Sequence, residues 1–239
     1  MMSSEATDSA NAAVFLDVDG TLVQTTIVHY YMYFRRRNMS TLAGKIWHAA
    51  YMLKCVYYLI LDKIDRSKLN LVFYRSYAGL SAEETRSQAA GCFRNVIEPR
   101  LFRQSLRCLN AHRELGRRVV LVTGSIDFIV APLAEQLGVA DVVAPSLVES
   151  NGRFTGELDG PPISDGEKAR RMRKFAEDHQ IDLADSHAYG DSIADLPMLE
   201  AVGHPHAVNP DKALAATAKE RGWPILKWTV DASSKEPSL

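Results

Sequence analysis

The stretch Val14-Phe15-Leu16-Asp17-Val18-Asp19-Gly20-Thr21-Leu22 constrains this chain more than any other. An apolar run reads as a buried strand, and it ends in two carboxylates, a glycine and a threonine. Residues i and i+2 of a strand point the same way, so Asp17 and Asp19 can share one side as the strand runs out. Two acids that close raise each other's pKa unless a cation sits between them. The pair suggests a hard divalent metal with oxygen ligands, and Mg²⁺ is the first candidate.

Beyond Thr21 the chain is first helical, then alternating. From Ile27 to Ile97 the spacing gives helical periodicity and no convincing strand. Met39 to Leu61 is apolar on nearly all sides, interrupted by Lys45, His48 and Lys54. A second helix is expected after Asp65, over Lys68 to Tyr77, and a third from Ser81-Ala82-Glu83-Glu84, a capping-box pattern, to about Val96. Beyond Pro99 a helix runs to Leu115 and ends at Gly116. The strand Arg118 to Val122 ends in Thr123-Gly124-Ser125, and a helix from Ile126 to Leu137 stops at Gly138. A short strand at Asp141 to Ala144 precedes a hairpin over Leu147 to Leu158, turning at Asn151-Gly152. Then come a helix over Glu167 to His179 and a strand over Ser186 to Tyr189 that ends in Gly190-Asp191-Ser192. A helix to Ala201, a strand near Ala207, a helix from Asp211 to Arg221 and a strand near Ile225 close the series.

Strands alternating with helices imply an α/β fold, a doubly wound parallel (Rossmann-like) sheet. The expected core spans residues 1–25 and 97–230, with an inserted all-helical cap at 26–96 and a disordered tail at 231–239. Ligands of such sheets bind at the carboxyl ends of the strands. Three of the expected strands end in Asp17-Val18-Asp19, Thr123-Gly124-Ser125 and Gly190-Asp191, and the helix starting near Gly166 adds Lys168. Carboxylates bind Mg²⁺; a hydroxyl, backbone N–H groups and an ammonium bind phosphate.

These residues resemble the four motifs of the haloacid dehalogenase-like (HAD) hydrolase superfamily, in order: Asp17-Val18-Asp19-Gly20-Thr21, Thr123, Lys168, and Gly190-Asp191-Ser192-Ile193-Ala194-Asp195. A helical cap between the first two motifs resembles the phosphoserine phosphatase-like branch, and the resemblance covers roughly Ala12 to Leu226. It implies Asp17 as nucleophile, forming an aspartyl-phosphate, and Asp19 as general acid and base. It further implies Mg²⁺ held by Asp17, the Asp19 backbone carbonyl and Asp191, with Asp195 and Ser192 orienting that shell. Thr123, Gly124, Lys168 and Gly20 would bind the phosphoryl group.

Taken singly, each residue has a plainer reading. A D-x-D can be a turn and helix cap, Thr123 an ordinary cap, Lys168 a surface lysine in a basic run, and Asp195 a helix-surface charge. An EF-hand loop would need a further acidic or amide ligand before its glycine. His204 and His206, flanking Pro205, read more simply as a loop pair than as metal ligands, and Gly152, Gly156 and Gly160 read as turn glycines. The net charge of −1 gives no bias toward nucleic acid. Cys55, Cys92 and Cys108 have no metal-like spacing and fit a reducing compartment. With residues 1–12 lacking a basic n-region and an apolar h-region, a cytoplasmic protein is expected.

The cap should select the substrate. Family members acting on phosphoserine generally carry an acid shortly after the first motif to hold the amino group; Val23 to Val28 contains none. Ala194 also stands where relatives commonly carry Asn. Between Arg35 and Leu80, nine basic residues oppose only Asp62 and Asp65. Such a basic, apolar segment can admit an amphiphilic phosphate or touch an anionic membrane peripherally, or it can simply be buried against the core or in a dimer. A transmembrane span is disfavoured by Lys54, which would cost about 2.5–3.5 kcal/mol at a bilayer centre. The sequence therefore reads as a Mg²⁺-dependent phosphatase of a small-molecule phosphomonoester, apolar or lipid-like rather than phosphoserine. Phosphotransferase or phosphomutase chemistry would use the same motifs. A non-catalytic phosphoryl receiver would need neither Asp19 nor a cap, and a membrane-surface module would use the cap alone.

Overall fold

The apolar run at the start forms β1 (Ala13–Leu16), the third of six strands. A computed structural model describes residues 11–37 and 39–230. Residues 1–10, and the tail expected to be disordered, lie outside the described residues. After β1 the chain enters five helices: α1 (Ile27–Arg37), α2 (Thr41–Ile64), α3 (Arg66–Tyr74), α4 (Ala82–Ser87) and α5 (Ala89–Cys92). The last continues as a π-helical turn, Phe93–Ile97. The alternating part continues as α6 (Arg103–Glu114), β2 (Arg118–Val122), α7 (Asp127–Leu137), β3 (Asp141–Val143), the hairpin β4 (Leu147–Ser150) and β5 (Arg153–Leu158), and α8 (Asp165–Asp178). It ends with β6 (His187–Gly190), α9 (Leu196–Leu199), β7 (His204–Val208), α10 (Lys212–Glu220) and β8 (Ile225–Leu226).

All pairings in the six-stranded sheet are parallel, in the order β3-β2-β1-β6-β7-β8. β1 therefore needs apolar residues on both faces. Ala13 and Phe15 pack with Met172 of α8, Met198 of α9 and Leu214 of α10. Val14 and Leu16 face the other way, toward Leu109 of α6 and Leu133 of α7, in a core continuous with Tyr30, Phe73 and Tyr77 of the cap. Cap and sheet thus share one apolar interior.

Local chemistry sets the element ends. Ser40, Asp65 and Ser81 cap α2, α3 and α4 by accepting from the Ala43, Lys68 and Glu84 N–H groups. Gly138 ends α7 at φ 62°, in the left-handed region. Asn151 and Gly152, at φ 51° and 71°, make the two-residue hairpin turn. Two expectations need correction. The helix expected from Pro99 starts at Arg103, because Glu98–Arg100 forms a separate 3₁₀ turn. Gly156 is no turn residue: it lies in β5 at φ 84°, where a Cβ would come within 2.9 Å of Arg75 Cα. The hairpin can approach the cap there only as glycine.

Helix α2 is apolar on two faces. Tyr51 and Tyr58 are buried, with Trp47 stacked on Tyr51 at 4.7 Å, and Tyr51 and Tyr58 contact Tyr31 and Phe73 respectively. The opposite face is exposed: Leu42 at 70%, Leu53 at 76% and Ile64 at 72%. Burial of Ile46 to Leu61 against the core, one of the readings of this segment, holds for the aromatic face only.

Candidate active site

Asp17 is the first residue beyond β1, and its N–H donates to the Tyr189 carbonyl of β6 at 3.0 Å. That bond fixes the acid between two parallel strand ends. Lys168, in the first turn of α8, is buried with its ammonium 2.6 Å from Asp17 Oδ1 and 2.6 Å from Asp195 Oδ1. The other oxygen of Asp195 accepts from the Asp191 N–H at 3.2 Å, the Ser192 N–H at 3.2 Å and the Ser192 hydroxyl at 3.3 Å. Asp195 thus pins both Lys168 and the loop that carries Asp191. Thr21 donates to Asp191 Oδ1 at 3.4 Å.

Glycine at position 20 is required twice. Its φ is 92°, and a Cβ there would stand 2.1 Å from Asp191 Oδ2. Its N–H already donates to the Val23 carbonyl at 2.8 Å. In this conformation Gly20 clears space for Asp191 and has no free N–H to offer a phosphate.

Three clustered carboxylates with one ammonium leave negative charge in excess. Burial, reinforced by Asp195 and Asp19 and opposed by Lys168, pushes the Asp17 carboxyl up to about 6. Burial and the nearby Asp17 and Asp195 raise Asp191 well above the carboxylate range. Burial would lower Lys168, but Asp17 and Asp195 outweigh it and hold the ammonium above its usual value. Asp17, Asp191 and Asp195 each offer an oxygen within 4.8 Å of the others. An all-oxygen donor set with surplus charge fits a hard divalent cation. Because Asp195 is engaged through both oxygens, Asp17 and Asp191 are the better placed to ligate one.

Asp19 turns away from this cluster. Its Oδ1 accepts from the Tyr30 hydroxyl at 2.5 Å and the Thr25 hydroxyl at 2.9 Å, and its Oδ2 from the Ser125 hydroxyl at 2.5 Å. The Thr25 and Tyr30 oxygens are themselves 2.6 Å apart. Thr123 is fully buried just beyond β2, where its hydroxyl accepts from the Ser125 N–H at 3.0 Å. Gly124 and Ser125 line the cleft in front of it. The cap reaches these loops directly: Tyr74 of α3 donates to the Gly124 carbonyl at 2.7 Å, and the Ser67 and Ser164 hydroxyls are 2.8 Å apart. Between cap and sheet lies a cleft of about 1140 Å³. Asp17, Asp19, Lys168 and Asp191 line one part of it; Ile27, Val28, Met32, Met52, Leu59 and Leu69 line another.

The sequence matches a family model described as haloacid dehalogenase-like hydrolase over residues 14–200, a span that takes in all of these strand ends. The chain belongs to that family. A probable phosphatase of Mycobacterium tuberculosis (strain ATCC 25618 / H37Rv) is 31% identical over 229 residues, 95% of this chain and 79% of that protein. A crystal structure of a protein of unknown function from Bordetella pertussis Tohama I aligns with TM-score 0.78 and 25% identity, covering 91% of this chain and 99% of that one. An apo phosphoserine phosphatase aligns with TM-score 0.66 at 18% identity, covering 90% and 93%, which supports the shared fold.

In this HAD-family chain the motif residues converge as their order suggested, with two refinements. Lys168, ambiguous in a basic run, is the buried member of that run, while Arg170 and Lys174 pair with Glu167 and Asp178 at the surface. Ser125, Thr25 and Tyr30 join the site from outside the motif residues. Ser125 carries a weak signal, two residues past the second motif; nothing in the spacing of Thr25 and Tyr30 marks them as partners of Asp19. His204 and His206 sit on β7, away from the carboxylates. His206 stacks on Tyr189 at 4.4 Å and contacts His187 at 3.1 Å.

Proposed function

We propose that this HAD-family phosphatase hydrolyses a phosphomonoester with an apolar body, in a Mg²⁺-dependent reaction through an aspartyl-phosphate on Asp17. One observation carries the reading. Asp17 and Asp19 line the same cleft but are held by opposite chemistry, Asp17 by an ammonium and Asp19 by three hydroxyls.

Asp17 Oδ1 is bonded to Lys168, which leaves Oδ2 to attack phosphorus. As the bond to the leaving oxygen breaks, Asp19 gives that oxygen a proton. In the second half Asp19 takes a proton from water; the water oxygen bonds to phosphorus, the bond to Asp17 breaks, and inorganic phosphate is released. Hydroxyl partners suit both protonation states, because each hydroxyl can reverse from donor to acceptor. Lys168 and Gly124 would hold phosphoryl oxygens, with Thr123 supporting the Gly124 loop from behind. Asp17, Asp191 and the Asp19 backbone carbonyl would hold Mg²⁺, which when bound supplies positive charge against the phosphoryl group. Asp195 acts by positioning Lys168 and the Asp191 loop.

The cleft wall supports the substrate class. No acid between Val23 and Val28 is present to meet an ammonium group, and the cap lines much of the cleft with apolar side chains, interrupted by His29, Arg66 and Asn70. A receiver reading is disfavoured, since Asp19 is pinned in place beneath a cap that a receiver does not need. The test is metal-dependent phosphate release from an aryl phosphate, then a comparison of medium-chain alkyl phosphates with phosphoserine. Higher kcat/KM for the alkyl phosphates is expected; equal or better turnover of phosphoserine would overturn the substrate class. Asp17→Asn should lower kcat by about 10³-fold or more, and wild-type turnover in that variant would overturn the nucleophile.

A further inference from the structure

We infer that the outer face of α2 docks flat on an anionic lipid bilayer. Leu42, Ile46, Leu53, Val56, Ile60 and Ile64 are all exposed, and so is Tyr57. At 100° per residue they fall within roughly 60° of one line along the helix, a single aliphatic stripe. Running from Leu42 to Ile64 of a 24-residue helix, the stripe is about 33 Å long. Its inner face is already satisfied by the aromatic cluster of the cap, so burial in the fold does not account for the outer one. Contiguous exposed apolar surface of this length marks an interaction site.

Charge selects the occupant. Lys45 is exposed on one flank of the stripe, and Lys54 on the other, where its ammonium also donates to the Ser76 hydroxyl at 3.3 Å. In sequence, Arg36 and Arg37 precede α2, Arg37 donating to the Tyr33 hydroxyl at 2.9 Å, and Lys68 follows it, exposed and paired with Asp65 at 3.2 Å. A second copy of the same face would bring the flanking lysines against their counterparts. An anionic surface accepts the stripe and its flanking lysines together. Crossing the membrane is not at issue, since no helix among the described residues is long and apolar enough to do so. Met52 and Leu59, on the flank of α2, are exposed and also line the cleft. Docking by the stripe would therefore bring one wall of the cleft close to the lipid surface. The inference does not depend on the proposed substrate class.

The test uses the full chain and co-sedimentation with vesicles of phosphatidylcholine alone or mixed with phosphatidylglycerol. Binding should favour the anionic vesicles by about tenfold or more and fall at high salt. The double variant Leu53→Glu/Ile60→Glu changes exposed residues that do not line the cleft. It should lose about tenfold in vesicle partitioning while retaining its melting temperature and its turnover of a water-soluble aryl phosphate. Lys45→Glu should weaken binding to a smaller degree. Absence of binding to anionic vesicles overturns the inference, as does a double variant that binds like wild type. A wild-type dimer converted to monomer by the double variant, with no vesicle binding in either, assigns the face to a second copy instead.

Discussion

The hydroxyl of Tyr30, on the first cap helix, lies 2.5 Å from Oδ1 of Asp19, just past the end of a central core strand. A cap side chain therefore touches the proposed proton carrier itself. Thr25, between the two, contacts both. The orientation of Asp19 thus depends on the cap being seated.

Tyr30→Phe removes that contact and little volume. We expect kcat for an aryl phosphate to fall by about tenfold, with Asp19 held by two hydroxyls instead of three. Tyr74→Phe, which frees only the Gly124 carbonyl, should cost less in kcat. Steady-state kinetics of the two variants checks the order.

Lys168→Met strands two buried acids. Lys168, Asp17 and Asp195 are 6%, 8% and 4% exposed in their side chains. Breaking a buried pair from one side typically costs about 3–5 kcal/mol. Urea unfolding of the metal-free variant should show a loss of that order, and added Mg²⁺ should recover part of it by countering the freed charge.

Metal binding should strengthen as pH rises. Asp17, pushed up to about 6 from an ordinary 3.8, keeps a proton that the unfolded chain has already released. Its contribution to stability is full below pH 3.8 and is lost as pH rises through 6. Neutral metal-free protein carries this penalty, and a divalent cation offsets it once the carboxylates ionise. The rise in melting temperature caused by Mg²⁺ should therefore be larger at about pH 7.5 than at about pH 5. Equal shifts at both values would count against Asp17 as a ligand.

The histidine stack between β6 and β7 should respond in the opposite sense. Burial, then the neighbouring His112, pushes His187 down to about 3 and His206 down to about 4, against an ordinary 6.5. Groups lowered on folding contribute stability above pH 6.5 that is lost as pH falls through 4 and 3. His206→Gln should flatten the loss of stability between pH 6.5 and 4 relative to wild type, as read from melting curves in one buffer series.

The strand ends were legible because each sets an apolar, β-branched run against an abrupt polar stop, as at Val122-Thr123 and Leu16-Asp17. The hairpin was legible from Asn151-Gly152, whose positive φ angles few other pairs accept. Tyr30 was not, because an aromatic in an apolar helix normally reads as core, and it is also core here, 1% exposed with only its hydroxyl spent on Asp19. The outer stripe of α2 was visible as hydrophobicity, but its exposure was not: a helix apolar on all sides looks buried until the packing of each face is known. Gly156 reads as a turn residue because strand and turn glycines share composition; only the approach of Arg75 distinguishes them.

The register of β1 has a consequence in time. Ala13 pairs with Arg118, and Val14 with His187, so the strand that presents Asp17 has no partner until far more of the chain exists. Lys168 and Asp195 arrive later still than β2. On the ribosome, the first motif is made before β2 and β6, the strands it pairs with, and must wait for them. A chain stalled before Lys168 therefore carries Asp17 without its lysine and without the Asp191 loop. The topology withholds the carboxylate–lysine cluster from every copy stopped short of Asp195.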